Sequence, residues 1–418
     1  MTWQRMTLGA LGAQAQTGFA SGKHAGDGEV LHLRPMNITP LGTLTLEGSK
    51  FVESQAGAQR VQRGDILFNN TNSPKWVGKT AWISAADELA FSNHMTRIRV
   101  PDDRIVSKFL ASYLHFKQVT GYFEAICSNH VNQASVSRRR LLETEVPVPP
   151  ADEQRRIVAI LEDHLSRLDA AEASLARATH RLELQELAGL AQLFKDANRW
   201  PRKTAHQLVG EDRSKLVIGP FGSNLKTSDY RGEGVPLVFV RDIRSRSFDS
   251  PRAFVDEDKA IELSSHVVIP GDVLITKMGE PPGDTAVYRG DGPAVITADC
   301  IRLRPMTGID SRYVALALGT ADARAQIGKI TSGVAQQKVS LGRFRDGVSI
   351  PVPSRLIQSR IVEQGQELLD STARLRIGIQ QALTRSSALR RSLLAGAFSG
   401  RLTGSSAEMS EVAGMIDA

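Results

Sequence analysis

The chain contains the same short motifs twice, in the same order and about 205 residues apart. Each copy holds a Gly-Asp motif, an Arg-hydrophobic-Arg triplet, a Pro-x-Pro motif and a Gln-x-x-Ile motif. The offset between copies drifts slowly, as small loop insertions in a duplicated unit would make it. The matching residues are Gly64-Asp65-Ile66-Leu67 with Gly271-Asp272-Val273-Leu274, Arg97-Ile98-Arg99 with Arg302-Leu303-Arg304, Pro147-Val148-Pro149 with Pro351-Val352-Pro353, and Gln154 and Ile157 with Gln358 and Ile361.

The length of the chain also favours two modules, because 418 residues exceed what one hydrophobic core usually supports. Short β-type runs separated by Gly, Asn and Pro turns fill most of each copy, and a helix is expected near 107–125. We expect a first globular unit at 1–150, a long helix at 151–199, a second globular unit at 200–354, a second long helix at 355–403, and a flexible tail at 404–418.

The composition is that of a globular protein, with 41% hydrophobic and 23% charged residues. No run of about 18 apolar residues predicts a spanning helix, and the opening residues lack the apolar run of a signal peptide. Two cysteines, Cys127 and Cys300, indicate a reducing cytoplasm rather than a disulfide framework. A net charge of +7 is compatible with a polyanionic partner but does not prove one.

Apolar residues recur at alternating steps of four and three after each Pro-x-Pro motif, which is the spacing of a coiled-coil seam. Small residues interrupt both series, so the two helices are expected to pack against each other. The alternative is two ordinary amphipathic helices that cover separate cores. The residues expected at the helix-pair interface are Ile157, Leu161, Leu168, Leu175, Leu182, Ile361, Leu368, Leu375, Ile379 and Leu389.

No catalytic constellation emerges from the sequence. Gly78-Lys79-Thr80 resembles the end of a phosphate-binding loop, but Ser73 stands where its first glycine is required. Glu257 and Lys259 imitate part of a nuclease motif without an upstream acidic partner, so we expect a structural turn there. The histidines and cysteines show no metal-ligand spacing. The chain is therefore expected to carry out no reaction itself.

Three polar segments occupy equivalent places in the two copies, with one gap in the correspondence. Amide, hydroxyl and ammonium groups of this kind reach phosphates, and Asn or Gln also pairs with adenine. For any single loop, an ordinary solvated surface is an equally good interpretation. The segments are 69–76 with 276–280, 129–133 with 334–338, and the loop at 219–226, for which the first copy has only Gly18-Phe19-Ala20-Ser21-Gly22.

In this combination and order, the motifs resemble the specificity subunits of type I restriction–modification systems. The resemblance extends over essentially the whole chain, including the ending Leu393-Leu394-Ala395-Gly396-Ala397-Phe398. It implies an α+β fold with two pseudo-symmetric target-recognition domains, each followed by a long helix, and the two helices packed as an antiparallel coiled coil. Each domain would read one half of a split DNA target, and the bases between the halves would go unread.

The resemblance also implies partners and cofactors that this chain does not itself supply. Methyltransferase subunits would methylate adenine with S-adenosylmethionine, and a motor-nuclease subunit would use ATP and Mg²⁺. This chain would bind double-stranded DNA, with no cofactor, metal or membrane of its own. Matching the loops to the family assigns DNA contacts to Asn70, Asn72, Lys75, Asn132, Gln133, Ser223, Asn224, Lys226, Lys277, Gln336, Gln337 and Lys338.

Two other functions compete with this interpretation. The first is a non-enzymatic scaffold whose paired helices hold two protein-binding domains; such a scaffold has no evident need for matched polar loops. The second is an unrecognised nuclease that uses Glu257 and Lys259. A nuclease would require a metal-dependent activity that Glu257→Ala abolishes.

Overall fold

The computed structural model describes residues 3–21, 27, 30–52, 60–84, 89–130, 133–333 and 337–403. The tail expected at 404–418 and the proposed DNA contacts Asn132 and Gln336 lie outside this part of the chain. The contacts divide the chain into two compact units. Unit 1 comprises Met1–Leu175 with Gln381–Ala418, and unit 2 comprises Ala176–Gln380. Each unit therefore contains one globular part and a portion of both long helices.

Unit 1 is built on a four-stranded antiparallel sheet in the order β2-β9-β5-β7. In a second sheet, β3 pairs in parallel with β8 and antiparallel with β4. Strands β10, β11 and β6 form a third sheet, and β1 pairs with β12. The elements are β1 (Arg5–Thr7), β2 (Gln14–Thr17), β3 (Val30–Leu33), β4 (Lys50–Val52), β5 (Ile66–Asn69), β6 (Thr71–Asn72), β7 (Thr80–Trp82), β8 (Leu89–Phe91), β9 (Met95–Arg99), α1 (Ser107–Val119), α2 (Tyr122–Ile126), β10 (Ser128–His130), β11 (Gln133–Ser135), α3 (Arg138–Leu142), β12 (Glu145–Pro147) and α4 (Ala151–Leu193).

Unit 2 repeats this topology with two differences: an additional strand, β17, pairs with β20, and a single bridge between Met278 and Lys338 takes the place of β6. Its main sheet has the order β14-β21-β18-β19, and β15 pairs in parallel with β20 and antiparallel with β16. The pairs β22-β23 and β13-β24 match β10-β11 and β1-β12. The elements are β13 (Arg202–Thr204), α5 (Ala205–Leu208), β14 (Leu216–Ile218), β15 (Val235–Val238), α6 (Val240–Ser245), β16 (Phe254–Val255), α7 (Glu257–Glu262), β17 (Val267–Val268), β18 (Val273–Thr276), β19 (Thr285–Val287), β20 (Ala294–Ile296), β21 (Cys300–Leu303), α8 (Ser311–Leu318), α9 (Ala321–Ile330), β22 (Thr331–Ser332), β23 (Lys338–Val339), α10 (Leu341–Gly347), β24 (Ser349–Pro351) and α11 (Arg355–Phe398).

The Gly-Asp motif forms the tight turn that leads into the central strand of each main sheet. Gly64 and Gly271 adopt φ values of 92° and 96°, a left-handed conformation that favours glycine. The next residue, Asp65 or Asp272, is 1% exposed in both units. Each carboxylate also accepts a hydrogen bond from a backbone N–H three residues upstream, at 2.7 Å in unit 1 and 2.9 Å in unit 2. The repeated motif is therefore a structural turn.

An arginine from the neighbouring strand neutralises each of these buried carboxylates. Arg99 donates Nε and Nη2 to the two carboxylate oxygens of Asp65 at 2.7 and 2.8 Å. Arg304 makes the same two bonds to Asp272, both at 2.7 Å. Bidentate pairs of this kind are strong and directional. They explain why the last arginine of the Arg-hydrophobic-Arg triplet recurs along with the Gly-Asp motif.

The buried glutamines of the Gln-x-x-Ile motifs tie each long helix to the helix packed beside it. Gln154 accepts from the backbone N–H of Val106, the residue before α1, at 2.7 Å, and donates to the carbonyl of Pro149 at 2.7 Å. Gln358 accepts from the N–H of Asp310, the residue before α8, at 2.9 Å, and donates to the carbonyl of Pro353 at 2.9 Å. One amide side chain thus satisfies backbone groups at two helix beginnings.

Portions of α4 and α11 contact each other antiparallel within each unit. In unit 1, Arg390 Nη2 lies 2.5 Å from Asp169 Oδ1, and Ser386 Oγ lies 2.6 Å from Glu172 Oε1. In unit 2, Arg376 Nη2 lies 2.8 Å from Glu186 Oε2, and a Cβ on Gly189 would meet Leu368 at 2.6 Å. The antiparallel pairing is present in both units, and a coiled-coil form of it stays a prediction.

The residues expected at the helix-pair interface differ in burial. Leu375 is 54% exposed, so it lies outside the packed face. A strict seven-residue spacing drifts around a straight α-helix, and this drift carries such a position toward solvent. The buried positions are Ile157, Leu161, Leu182 and Ile361, and the half-buried positions are Leu168, Leu175, Leu368, Ile379 and Leu389.

The helix expected near 107–125 is interrupted in the structure. Helix α1 ends at Val119 and α2 begins at Tyr122. Gly121 lies between them with φ 78°, a left-handed conformation that ends one helix and changes the direction of the next. The helix was therefore expected in the right place, but as one element instead of two.

We predict that Asp65→Ala lowers the free energy of unfolding of unit 1 by about 3 kcal/mol, because it removes one partner of a buried ion pair. Urea denaturation of the full chain measures the change. Asp163→Ala is the matched control, since its 3.0 Å pair with Arg167 is exposed and such pairs contribute under about 1 kcal/mol. Equal losses in the two variants would contradict the structural role assigned to Asp65.

Candidate nucleic-acid interface

The structure brings two of the polar segments of unit 1 into one small sheet. Strand β6 leaves the end of β5 and pairs with β11, placing Asn72 opposite Ala134. Asn72 is half-buried, whereas Lys75 and Gln133 are exposed. The Lys75 ammonium lies 5.1 Å from the centroid of the Trp76 ring. We call Asn72, Lys75 and Gln133 the first polar cluster.

Three polar segments meet in unit 2. The backbone after β18 bridges to β23, with Met278 opposite Lys338 and the N–H of Gly279 donating to the carbonyl of Gln337 at 3.3 Å. The Lys277 ammonium lies 4.9 Å from the centroid of the Phe221 ring, which joins the loop at 219–226 to the other two segments. The second polar cluster consists of Ser223, Asn224, Lys226, Lys277, Gln337 and Lys338.

The second polar cluster exposes more donor groups than the first. Ser223, Asn224, Lys226 and Lys338 are exposed, and Lys277 is half-buried. Their amide, hydroxyl and ammonium groups are the types that contact phosphates and base edges. One segment of each cluster lies directly after the strand that follows the Gly-Asp turn: Asn72 and Lys75 come after β5, and Lys277 comes after β18. The duplicated fold therefore presents these segments at equivalent positions.

Asn70 does not belong to the exposed group. Its side chain is 9% exposed, and its Nδ2 donates to Thr96 Oγ1 at 2.9 Å and to the carbonyl of Asn93 at 3.2 Å. Its Oδ1 accepts from Thr71 Oγ1 at 2.8 Å. These bonds engage the amide inside the unit, and a DNA contact of Asn70 stays a prediction. Asn70 fixes the polar segment to the neighbouring strand.

The structure also identifies the glycine that the sequence comparison could not match clearly. Gly18 follows β2 and donates its N–H to Met95, as Gly219 follows β14 and donates to Cys300, both at 3.1 Å. A Cβ would lie 2.1 Å from a carbonyl oxygen at Gly18 and 2.0 Å from one at Gly219. The same close backbone approach therefore requires glycine at both positions, and Gly18 is the counterpart of Gly219.

The apparent phosphate-binding loop in unit 1 has a different structure. Lys79 is 7% exposed and its Nζ donates to the carbonyl of Ile38. Burial lowers the pKa of Lys79 from its usual value. A Cβ on Gly78 would lie 2.5 Å from the Phe123 ring. This segment is thus packed against the core, with no free backbone cradle for a phosphate.

Glu257 and Lys259, the residues of the nuclease alternative, lie on α7. The helix begins after Asp256, whose side chain accepts from the backbone N–H of Lys259 at 2.9 Å. Lys259 Nζ pairs with Glu262 Oε2 at 2.8 Å. Among the residues that the structure describes, no group of three or more His, Cys, Asp or Glu residues is placed to hold a metal ion.

These features define a class: a duplicated α+β protein that presents one exposed polar cluster per unit and carries two long helices. No helix in the described part of the chain is long and apolar enough to cross a membrane. Residues 2–178 match the family model for the type I restriction modification DNA specificity domain.

Curated relatives agree with this match. The chain is 23% identical to the EcoBI specificity subunit of a type I restriction enzyme from Escherichia coli, over 88% of this chain and 84% of the relative. It is 23% identical to the StySPI specificity subunit from Salmonella potsdam, over 83% and 76%. A putative MjaX specificity subunit from Methanocaldococcus jannaschii is 33% identical over 31% of this chain, which spans 29% of that relative.

One solved structure extends the agreement to the fold. It is described as the structural basis of complex assembly and conformational transition of the type I R-M system, and it aligns with a TM-score of 0.65 and 19% identity. The alignment covers 95% of this chain and 97% of the other. The chain therefore shares the fold of that structure, and residues 2–178 are similar to the type I restriction modification DNA specificity domain.

If the second polar cluster contacts DNA, as the sequence predicts, Lys277→Ala or Lys226→Ala weakens DNA binding by about 1–3 kcal/mol and reduces the slope of log affinity against log salt by about one, because each removes one cation available to a phosphate. A titration at several salt concentrations measures both quantities. Lys195→Ala is the control, since this exposed lysine follows the last residue of α4 outside the polar clusters. If both cluster variants behaved like the control, recognition would have to involve other loops.

Proposed function

We propose that this chain is the DNA-reading subunit of a type I restriction–modification complex, and that each unit reads one half of a split target. The observation that carries the proposal is the recurrence of an exposed polar cluster at the same place in two copies of one fold. A protein that recognises two different DNA sequences needs the same backbone fold twice, with different side chains at the DNA-contacting surface of each copy. The clusters meet this need, because the strands that support them match while the residues at their surfaces differ.

Charge supports DNA as the ligand. The chain carries a formal charge of +7, and lysines contribute to both clusters. Electrostatic attraction to phosphates supplies most sequence-independent affinity, while amides and hydroxyls distinguish bases. The first polar cluster combines the Lys75 ammonium with the amides of Asn72 and Gln133. The second combines its three lysines with the amides of Asn224 and Gln337. DNA contacts for Asn132 and Gln336, which lie outside the described residues, stay part of the proposal.

The long helices would set the unread gap. Helix α4 has 43 residues and α11 has 44, so each is about 65 Å long at roughly 1.5 Å per residue. That length exceeds one turn of DNA, which is about 34 Å. A fixed helix pair would hold the two recognised halves at a constant separation.

Chemistry would come from partner subunits in this proposal. Methyltransferase subunits would use S-adenosylmethionine to methylate adenine, and a motor-nuclease subunit would use ATP and Mg²⁺. The chain itself would act as a non-catalytic subunit in the cytoplasm. Its similarity to specificity subunits of type I restriction enzymes supports this division of labour, as do the polar clusters, whose side chains are suited to binding.

We predict that selection from a random DNA pool yields a two-part asymmetric motif with a constant unread gap. The bait is the full chain assembled with its methyltransferase partner, because the complex is the proposed functional form. Sequencing of the enriched DNA measures the result. An assembled, folded complex that enriches no motif would contradict the proposal and favour a protein-binding scaffold.

Insertion of four residues after Leu175 is predicted to change the selected gap while leaving both half-motifs intact. Four helical residues add about 6 Å, close to two base pairs at about 3.4 Å each. The same pool selection measures the gap. A four-residue insertion in the turn 290–293, which joins β19 to β20, is the control for added length elsewhere. A gap that stayed constant in the helix variant would refute the role of the helices as a spacer.

A further inference from the structure

Phe221 stands out among the aromatic residues of this chain. Its side chain is 60% exposed, whereas every other aromatic residue in the described part of the chain is buried or half-buried. Burying a phenylalanine side chain is worth about 1.5–3 kcal/mol, so an exposed ring on a folded surface forgoes that stabilisation. A ring left in this position is available to a binding partner.

The loop that carries Phe221 is held firmly at its base. Gly219 and Pro220 are buried, and the N–H of Gly219 donates to the carbonyl of Cys300 at 3.1 Å. Beyond the ring, the N–H of Asn224 donates to the carbonyl of Phe221 at 2.9 Å and closes the turn. The ring therefore projects from an ordered turn.

The surroundings of the ring indicate which partner it suits. The Lys277 ammonium lies 4.9 Å from the ring centroid and also donates to the carbonyl of Ala298 at 3.3 Å. Ser223, Asn224 and Lys226 are exposed within the next five residues. A polyanion that offers flat apolar surfaces between its charges matches this mixture of cations, amides and an aromatic ring. Duplex DNA has that character in its major groove, where the apolar methyl groups of thymine lie between the two phosphate backbones.

Unit 1 does not repeat this arrangement. Phe19 follows Gly18, but its ring is half-buried and packs against His32 with the ring centroids 4.9 Å apart. Trp76 in the first polar cluster is also half-buried. The exposed ring therefore distinguishes the second unit from the first in the described residues, although the two folds match.

We propose that the Phe221 ring makes an apolar contact with a nucleobase in the half of the target read by unit 2. Phe221 would then help to determine sequence specificity beside the hydrogen-bonding groups of the second polar cluster. This inference rests on the proposed function, because it requires that unit 2 reads DNA bases. It adds a base contact through a ring that has no hydrogen-bonding group and no charge.

The test compares Phe221→Ala with Phe221→Tyr in the full chain assembled with its methyltransferase partner. Affinity is measured for the selected target and for a DNA whose second half is scrambled, and the ratio is the readout. Removing the ring is expected to lower this ratio by on the order of tenfold, while the tyrosine variant keeps it. The salt dependence should not change, because no phosphate contact is lost.

Ile261→Ala is the matched control, since Ile261 is 71% exposed on α7 and its substitution also removes exposed apolar surface. If Phe221→Ala left the ratio unchanged, or lost affinity equally for both DNAs, the proposed base contact would be refuted. The proposed function would still stand. A ratio of one in the unsubstituted complex would overturn the proposed function and this inference with it. Thermal unfolding verifies that the variants are folded, as expected for a side chain so exposed.

Discussion

The buried bidentate pair between aspartate and arginine is the interaction on which each unit depends. A carboxylate that is 1% exposed would be costly without its partner. Asp65 and Asp272 accept a pair of guanidinium hydrogen bonds as well as a backbone N–H, so their charge is compensated. The ion pair connects the turn before the central strand, β5 or β18, to the end of the neighbouring strand, β9 or β21. The polar segments begin where that central strand ends, so the pair sets the frame for both clusters.

A second constraint connects this frame to the long helices. Gln154 and Gln358 are 0% and 2% exposed, and each fills the gap between an extended proline segment and the beginning of an adjacent helix. Prolines cannot donate backbone hydrogen bonds and hold the chain extended. The glutamine amides form hydrogen bonds with backbone groups at both helix beginnings. These bonds fix the positions at which α4 and α11 leave the globular parts. The proposed spacing function requires this fixed junction as well as the two long helices.

Sequence alone was sufficient for the parts of the fold that depend on local or repeated signals. The duplication, the Pro-x-Pro junctions and the first residues of α4 and α11 all agree with the structure. The burial of Asn70 could not be foreseen, because its partner Thr96 is remote in sequence. The approach of Lys277 to Phe221 likewise depends on tertiary structure. Polar residues of identical type thus serve structure or recognition according to contacts that a sequence pattern does not encode.

The equivalence of Gly18 and Gly219 also depends on tertiary contacts that a sequence pattern does not encode. Around these residues the loops share little sequence, yet both glycines lie against a carbonyl oxygen that leaves no room for a Cβ. Steric requirements of the backbone persist where surface side chains have diverged. This is the pattern expected of two recognition units that keep one frame and read different sequences.

The most direct test of the central claim, that each unit reads its own half, is pool selection with two variants, Asn72→Ala in unit 1 and Asn224→Ala in unit 2. Both remove one polar side chain of a cluster, so each serves as the control for the other. Each variant is expected to relax base preference in one half of the motif, and the two variants are expected to affect different halves. Relaxation of the same half by both variants, or of neither half, would contradict the central claim.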